Sequence, residues 1–240
     1  MNHLFRFFFI SFFLLGLLSC ATMEPAGRQN VSQEPINTIM IAVNLSDTPV
    51  VNLLGITIFE NKLTNIIDFE FSLSRYALTQ ADSALRIRGF STLVGDEPLP
   101  GSVLRDLSSG YRSVKIAAAQ NLHAQGADAI LLIEQGSART GLNYNHGFLL
   151  ERHGLFLVRT IAGRRDRVKV PLIFSYIDLR TGNLIKRTAY DAGTDADFLD
   201  PFKHITEASQ VTDADKEALE LIYKSKFDFF LLQALLSIRK

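Results

Sequence analysis

The chain has a single cysteine in its 240 residues, and this cysteine stands directly after an apolar run near the amino terminus. The run, Phe7–Leu18, is 12 residues long and follows the positively charged Arg6. It is too short to cross the roughly 30 Å of membrane hydrocarbon, which takes a helix of about 20 residues. Its length and the preceding charge are typical of a signal peptide, and a buried amino-terminal helix is the alternative. Because one cysteine cannot form an internal disulfide, the apolar core must stabilise the fold.

The run ends in Leu17-Leu18-Ser19-Cys20, which resembles the lipobox of bacterial lipoproteins. The resemblance implies cleavage between Ser19 and Cys20, a diacylglycerol on the sulfur of Cys20 and an acyl chain on its new amino group. Stable anchoring takes more than one acyl chain, which fits this chemistry. The next residue is Ala21 rather than aspartate, which in enteric-type sorting implies an outer-membrane address. We therefore expect a lipid-anchored protein of the bacterial outer membrane that faces the periplasm.

Three parts follow from this interpretation: a signal peptide at 1–19, a lipidated tether at 20–35 and a single α/β domain at 36–240. The tether prediction rests on the residues after Cys20, ATMEPAGRQNVSQEP, which are small and polar, contain proline and lack periodicity.

The whole chain has 25 basic and 25 acidic side chains, and loss of Arg6 with the signal leaves a formal charge of 24 − 25 = −1. This balance argues against binding nucleic acid through a broad basic surface.

The first half of the domain alternates between strand and helix patterns, which predicts an α/β (α+β) fold with a mixed sheet of about five or more strands. Gly89 and Gly126 end the two helices, and residues 95–102 are expected to form a loop. The predicted strands are Ile36–Leu45, Asn52–Asn61, Phe90–Val94 and Ala129–Glu134, and the predicted helices are Phe71–Arg88 and Tyr111–Gln125.

The second half has the pattern of antiparallel strands followed by a helix. Asp178 opens a turn and Gly182 reverses the chain, which predicts a hairpin between Lys169–Leu179 and Asn183–Tyr190. A second hairpin is expected across Gly154, joining Phe148–Arg152 to Leu155–Ile161. Thr212 or Asp213 is expected to cap a long helix that runs to about Ile238.

Two of these segments, GADAILLIEQG (126–136) and FSYIDLRTGNLI (174–185), resemble a known periplasmic α/β domain. It occurs in the curli-secretion lipoprotein, the penicillin-binding-protein activator lipoproteins and the amino-terminal domain of TolB. The resemblance implies the fold and no catalytic residues, since the same fold serves pores, activators and scaffolds.

The sequence lacks the common motifs of serine hydrolases, nucleotide-binding loops and zinc proteases. Clustered carboxylates suit a hard cation, so Asp195, Asp197 and Asp200 are weak metal candidates, although helix-capping aspartates in a solvated turn explain them better. His146 and His153 flank the expected hairpin and form a second weak candidate. We expect no metal and no cofactor other than the covalent lipid.

Two further segments allow alternative interpretations. The basic cluster Arg164, Arg165, Arg167 and Lys169 predicts an ordinary hairpin tip, with lipid phosphates or acidic glycans as an alternative ligand. The apolar stretch Phe227–Ile238 predicts a packed helix, with a partner or self-association surface as the alternative.

These observations predict an outer-membrane-anchored lipoprotein that acts as a non-catalytic envelope assembly or accessory module. Its expected partners are the membrane, through the anchor, and envelope proteins, with self-association possible and nucleic acid excluded. One alternative is a subunit of an oligomeric secretion or pore complex, which large rings of purified protein would favour. The other is an envelope hydrolase, which a cleft joining His146, His153 and the Asp191–Asp200 carboxylates would favour.

Replacing Cys20 with alanine tests the lipid attachment. The sulfur of Cys20 is the predicted site of the diacylglycerol, so intact-mass spectrometry should find acyl chains on the wild-type protein and none on C20A. Thr22→Ala, two residues further along, is the matched control and should keep the acyl mass. A wild-type protein without acyl chains would contradict the prediction.

Overall fold

A five-stranded mixed sheet organises the domain. The computed structural model describes residues 35–54, 62–65, 69–95, 99–107, 112–136, 138–139, 149–150, 152–160, 163–190, 202, 204–236 and 238. Its strands are β1 Thr38–Asn44, β2 Val50–Leu54, β3 Lys62–Asn65, β4 Ser91–Val94, β5 Ala129–Gln135, β6 Ala138–Arg139, β7 Leu149–Leu150, β8 Gly154–Thr160, β9 Gly163–Lys169, β10 Leu172–Asp178 and β11 Leu184–Tyr190. Its α-helices are α1 Leu73–Ile87, α2 Gly101–Leu107, α3 Arg112–His123 and α4 Asp213–Leu235.

The main sheet has the order β11-β10-β5-β1-β4. Strands β4, β1 and β5 run parallel, whereas β10 is antiparallel to both β5 and β11. The crossover between the parallel neighbours β1 and β4 contains β2, β3 and helix α1. The predicted mixed α/β fold, with a late antiparallel hairpin and a long carboxy-terminal helix, is confirmed.

Strand β5 is buried on both faces, because helices cover both sides of the sheet. Ala129, Leu131 and Ile133 point into a core that includes α1 and α4, whereas Ile130 and Leu132 pack with residues of α2 and α3. All five side chains are at most 1% exposed. This explains why the sequence of β5 is a continuous apolar run without alternation.

Helices α1 and α4 each present about one residue per turn to the sheet. Helix α1 begins at Ser72, whose hydroxyl accepts the backbone N–H of Arg75 at 3.0 Å, and ends before Gly89, which has a φ of 86°. Helix α4 begins with a capping box between Thr212 and Asp215. The buried residues of α1 are Leu73, Ala77, Ala81 and Leu85, and those of α4 are Asp215, Leu219, Tyr223, Phe227, Leu231, Ala234 and Leu235.

The start of β5 is joined to the start of β1 by a side chain. The carboxylate of Asp128 accepts the backbone N–H groups of Asn37 and Thr38, both at 2.9 Å, and its backbone carbonyl accepts the N–H of Leu179. Burial acts to raise the pKa of the Asp128 carboxyl, but these donors and the charge of Arg180 outweigh it, so the pKa lies below its ordinary value. Asp128 therefore holds three chain segments at one end of the sheet.

The turn between β10 and β11 lies at the same end. The Asp178 carboxylate accepts the backbone N–H of Arg180 at 2.8 Å and its guanidinium at 3.1 Å. Gly182 has a φ of 69°, and a Cβ there would lie 3.1 Å from the backbone of Ile116 in α3. Gly126, with a φ of 96°, makes the turn from α3 into β5.

Four strands form a second sheet with the order β3-β2-β8-β9. Its strand pairing shows that the hairpin expected across Gly154 is wrong. Strand β8 pairs with β2 and β9, whereas the two-residue β7 pairs with β6. Gly154 lies inside β8, where a Cβ would come within 2.0 Å of the carbonyl oxygen of Val50. The glycine therefore permits close strand approach and does not reverse the chain.

Three other sequence expectations differ from the structure. The basic cluster belongs to a hairpin of β8 and β9 as expected, but it extends from the closing end along β9, and its last residue, Lys169, is buried. The expected loop at 95–102 gives way to α2, which begins at Gly101. The expected strand Asn52–Asn61 is described only to Leu54, and it begins two residues earlier, at Val50.

None of the helices within the described residues is both long and apolar enough to cross a membrane.

Replacing Gly154 with alanine tests the close approach of β8 to β2. The new methyl group meets the carbonyl of Val50, so we expect a loss of about 2–4 kcal/mol in the free energy of unfolding, measured by urea denaturation. Gly101→Ala is the control: nothing lies within 4 Å of its Cβ, so a change of less than about 1 kcal/mol is expected. Equal effects of the two substitutions would show that the contact is unimportant.

Candidate binding cleft between α1 and α4

An open cleft lies between α1, with the segment that leads into it, and the first half of α4. It consists of two adjoining hollows of about 450 Å³ and 410 Å³ that share Glu70, Phe71 and Glu220. The first is also lined by Ser72, Arg75, Tyr76, Thr79 and Lys224, and the second by Phe69, Asp213, Lys216 and Glu217.

Aromatic rings support the cleft and link it to the core. The ring centroids of Phe69 and Phe71 are 6.0 Å apart, and Phe69 makes an edge contact with the buried Tyr223, also at 6.0 Å. Tyr76 contacts Phe71 at 5.7 Å and the buried Phe227 at 5.9 Å. Such pairs stabilise by about 0.5–1.5 kcal/mol beyond their burial, so the aromatic side of the cleft is held in place before any ligand arrives.

Charged groups contact the two partly buried rings of the cleft, Phe71 and Tyr76. The Nζ of Lys224 lies 5.4 Å from the ring centroid of Phe71 and 5.7 Å from that of Tyr76, and it also pairs with Glu220. The hydroxyl of Tyr76 donates to Asp228 at 2.9 Å. Burial and this carboxylate raise the pKa of Tyr76 to about 12, so the phenol is protonated at neutral pH.

The second hollow is acidic. Its lining combines the carboxylates of Glu70, Asp213, Glu217 and Glu220 with one ammonium group, that of Lys216, which lies 3.0 Å from Asp213. Asp213 pairs with Lys216 and Glu220 pairs with Lys224 of the adjoining hollow, so Glu70 and Glu217 provide the acidic excess here. Beside the aromatic side chains, these two carboxylates favour a ligand with both an apolar and a cationic group, such as a lysine- or arginine-containing segment of a protein. The hydroxyl of Ser72 is occupied, because it caps α1 and donates to Asp47 at 2.8 Å.

A buried histidine lies behind the aromatic side. The ring of His153 makes an edge contact with Tyr223, with centroids 5.0 Å apart, and its Nδ1 lies 3.5 Å from the side-chain oxygen of Gln135. His153 is fully buried, and this burial lowers its pKa from 6.5 to about 4. The imidazole is therefore neutral at physiological pH and contributes to packing.

The site residues considered from the sequence do not form part of this cleft. Gly126, Asp178 and Gly182 shape the end of the main sheet beside α3. No group of three or more histidine, cysteine or acidic side chains within the described ranges could hold a metal ion. The lipidation, cleavage, metal and histidine candidates that lie outside the described residues are Ser19, Cys20, His146, Asp195, Asp197 and Asp200.

Sequence reasoning missed the cleft. Its two sides are residues 69–79 and 213–224, which are far apart in the chain and carry no recognised motif. The local pattern indicates only a helix start, because Phe71 before the Ser72 cap packs on Tyr76 one turn later, as in a hydrophobic staple.

Comparison with known proteins gives no family. No protein-family model matches the chain, and no curated protein matches it. Among solved structures, a Xanthomonas campestris protein described as DUF330 is 10% identical, with a TM-score of 0.37 over 83% of this chain and 86% of that chain. Lipoprotein GNA1162 from Neisseria meningitidis is 15% identical, with a TM-score of 0.28 over 64% of this chain and 80% of that chain. The hypothetical protein CT253 from Chlamydia trachomatis is 10% identical, with a TM-score of 0.35 over 83% of this chain and 99% of that chain. Similarity at this level supports no assignment of family or function to the chain.

Protonation of His153 should make the stability of the domain depend on pH. The unfolded chain binds a proton at His153 below pH 6.5, whereas the folded chain resists it down to about pH 4, so stability is lost as pH falls between these values. Between pH 7 and pH 4.5, wild type should lose about 2 kcal/mol more than His153→Gln in urea denaturation. An equal loss in wild type and H153Q would contradict the burial effect.

Proposed function

We propose that the protein is an outer-membrane-anchored lipoprotein that acts as a non-catalytic accessory or assembly module of the bacterial envelope. It binds a protein partner through the cleft between α1 and α4. The observation that supports this function most directly is the cleft itself, in which the aromatic rings of Phe71 and Tyr76 lie beside acidic side chains at the surface. Cys20 carries the diacylglycerol and the amino-linked acyl chain, and the domain faces the periplasm.

The partner that this cleft suits is a basic segment of another envelope protein. An apolar side chain would pack on the aromatic rings, and a lysine or arginine would lie beside Glu70 and Glu217. Rings that are already oriented by the core and by Lys224 lose little conformational freedom on binding, which favours affinity. Complementary charge adds selectivity and speeds the encounter.

The tether gives the module access to such a partner. Residues 21–35 separate the lipid from the folded domain, and 15 residues of extended chain reach up to about 50 Å. A domain on a chain of this length can meet envelope proteins beside its anchor while both remain attached to the membrane.

Site-directed crosslinking in intact cells tests the cleft. A photo-crosslinking residue at Thr79, which is exposed in the cleft, should give a discrete larger product, whereas one at Gln120, exposed on α3, should not. Reversing a cleft charge with Glu217→Lys should reduce the Thr79 product about fivefold or more, because it opposes a cationic ligand. Reversing an exposed charge outside the cleft with Glu207→Lys should leave it unchanged.

Three results would contradict the proposed function: no product from position 79, an equal product from position 120, or a Thr79 product that E217K does not reduce. A product made only of two copies of this chain would replace the envelope partner with self-association.

A further inference from the structure

An exposed apolar patch lies at the carboxy-terminal end of α4. Phe229, Leu232 and Leu236 are 57%, 54% and 60% exposed, and their spacing of three and four residues places them on one face of the helix. Ile87, the last residue of α1, is 84% exposed. We call these four side chains the carboxy-terminal patch.

Contacts between chain segments bring the ends of α1 and α4 together. The guanidinium of Arg88 donates to the backbone carbonyl of Leu235. Ile87 precedes Arg88 and Leu236 follows Leu235, so both residues lie at this meeting of the two helix ends. Phe230 stacks on Tyr190 at 4.5 Å, which fixes the rotation of this part of α4 and leaves Phe229 and Leu232 on the outside. The patch therefore belongs to an ordered part of the fold.

The chain enters the domain at this same end. The carbonyl of Asn37, one residue before β1, accepts the N–H of Ser91 at 2.9 Å, and Thr38 is paired with Ser91 in the sheet. Ser91 lies three residues after Arg88, which in turn contacts Leu235. The residues that lead from Cys20 thus join the fold beside the carboxy-terminal patch.

We propose that the carboxy-terminal patch docks against the lipid bilayer in which Cys20 is anchored. The tether joins the domain at the end that carries the patch, so acyl anchoring raises the local concentration of lipid around the patch. Phenylalanine and leucine enter the boundary between headgroups and acyl chains. Arg86 pairs with Asp82 and Arg88 donates to the carbonyl of Leu235, so the apolar side chains make the contact with lipid. This inference rests on the lipid attachment in the proposed function.

Docking of this kind orients the binding cleft. Helices α1 and α4 run in the same direction, because Phe71 lies near Tyr223, Tyr76 near Asp228 and Arg88 near Leu235. Their beginnings form the cleft and their ends carry the patch. A helix of 23 residues is about 34 Å long, so a domain docked through the patch presents the cleft away from the membrane.

Fluorescence quenching in vesicles tests the docking. The lipidated full-length protein is reconstituted in vesicles of phosphatidylethanolamine and phosphatidylglycerol that contain brominated lipid. Because acylation blocks Cys20, a cysteine introduced by Leu232→Cys is the only free thiol and can carry a bimane label. Leu221→Cys is the matched control, since Leu221 is 68% exposed on the same helix and lies about 16 Å from Leu232 along its axis.

We expect brominated lipid to quench the label at position 232 about threefold more than the label at 221. Adding Leu236→Glu should lower the quenching at 232 to the level at 221, whereas Arg86 and Arg88 remain in place to hold the fold. Circular dichroism should show unchanged helix content, because Leu236 is exposed.

Equal quenching at the two positions would overturn the docking. So would a label at 232 that is shielded from aqueous iodide but not quenched by lipid, because a second copy or another protein would then cover the patch. Mass spectrometry of the same sample separates the two proposals. If Cys20 carries no acyl chains, both the proposed function and the docking fail. If the acyl chains are present and the Thr79 crosslink is retained but quenching is equal at the two positions, only the docking fails.

Discussion

Burial of β5 on both faces is the interaction on which the other elements depend. Its side chains alternate between two cores, so the strand needs a helical layer on each side to remove them from water. Helices α1 and α4 provide one layer, and α2 and α3 provide the other. Asp128, directly before β5, fixes the start of the neighbouring β1 by accepting the backbone N–H groups of Asn37 and Thr38, which aligns the parallel strands from their first residues. The central strand thereby sets both the layers and the register.

The arrangement of α1 and α4 on one face also explains where functional surfaces arise. Each helix uses one residue per turn for the core, and the side chains beside that row remain at the surface. At the beginnings of the two helices these side chains are aromatic and charged and form the cleft. At their ends, they are apolar and lie near the point where the tether joins the domain. One pair of packed helices therefore carries the proposed binding cleft and an apolar surface at opposite ends.

Local sequence patterns predicted most of the main sheet, because its signals are contained within single elements. The apolar run of β5, the glycine that ends α1, the capping threonine of α4 and the turn through Asp178 and Gly182 each act within a few residues. The hairpin across Gly154 was wrong for the same reason. A glycine between two short apolar segments is typical of a turn, and only the approach of β2, about 100 residues earlier in the chain, shows that the missing side chain makes room for Val50.

The sequence by itself predicts lipid attachment at Cys20, and it determined the mixed α/β class and the strand that lies at its centre. These depend on motif order, periodicity and turn chemistry, which are local properties of the chain. Tertiary structure alone decided the second sheet, the burial of His153 against Tyr223 and the meeting of Phe71 with α4. Pairing between distant segments depends on which surfaces are left to cover once the first core has formed, and no short stretch of sequence contains that information.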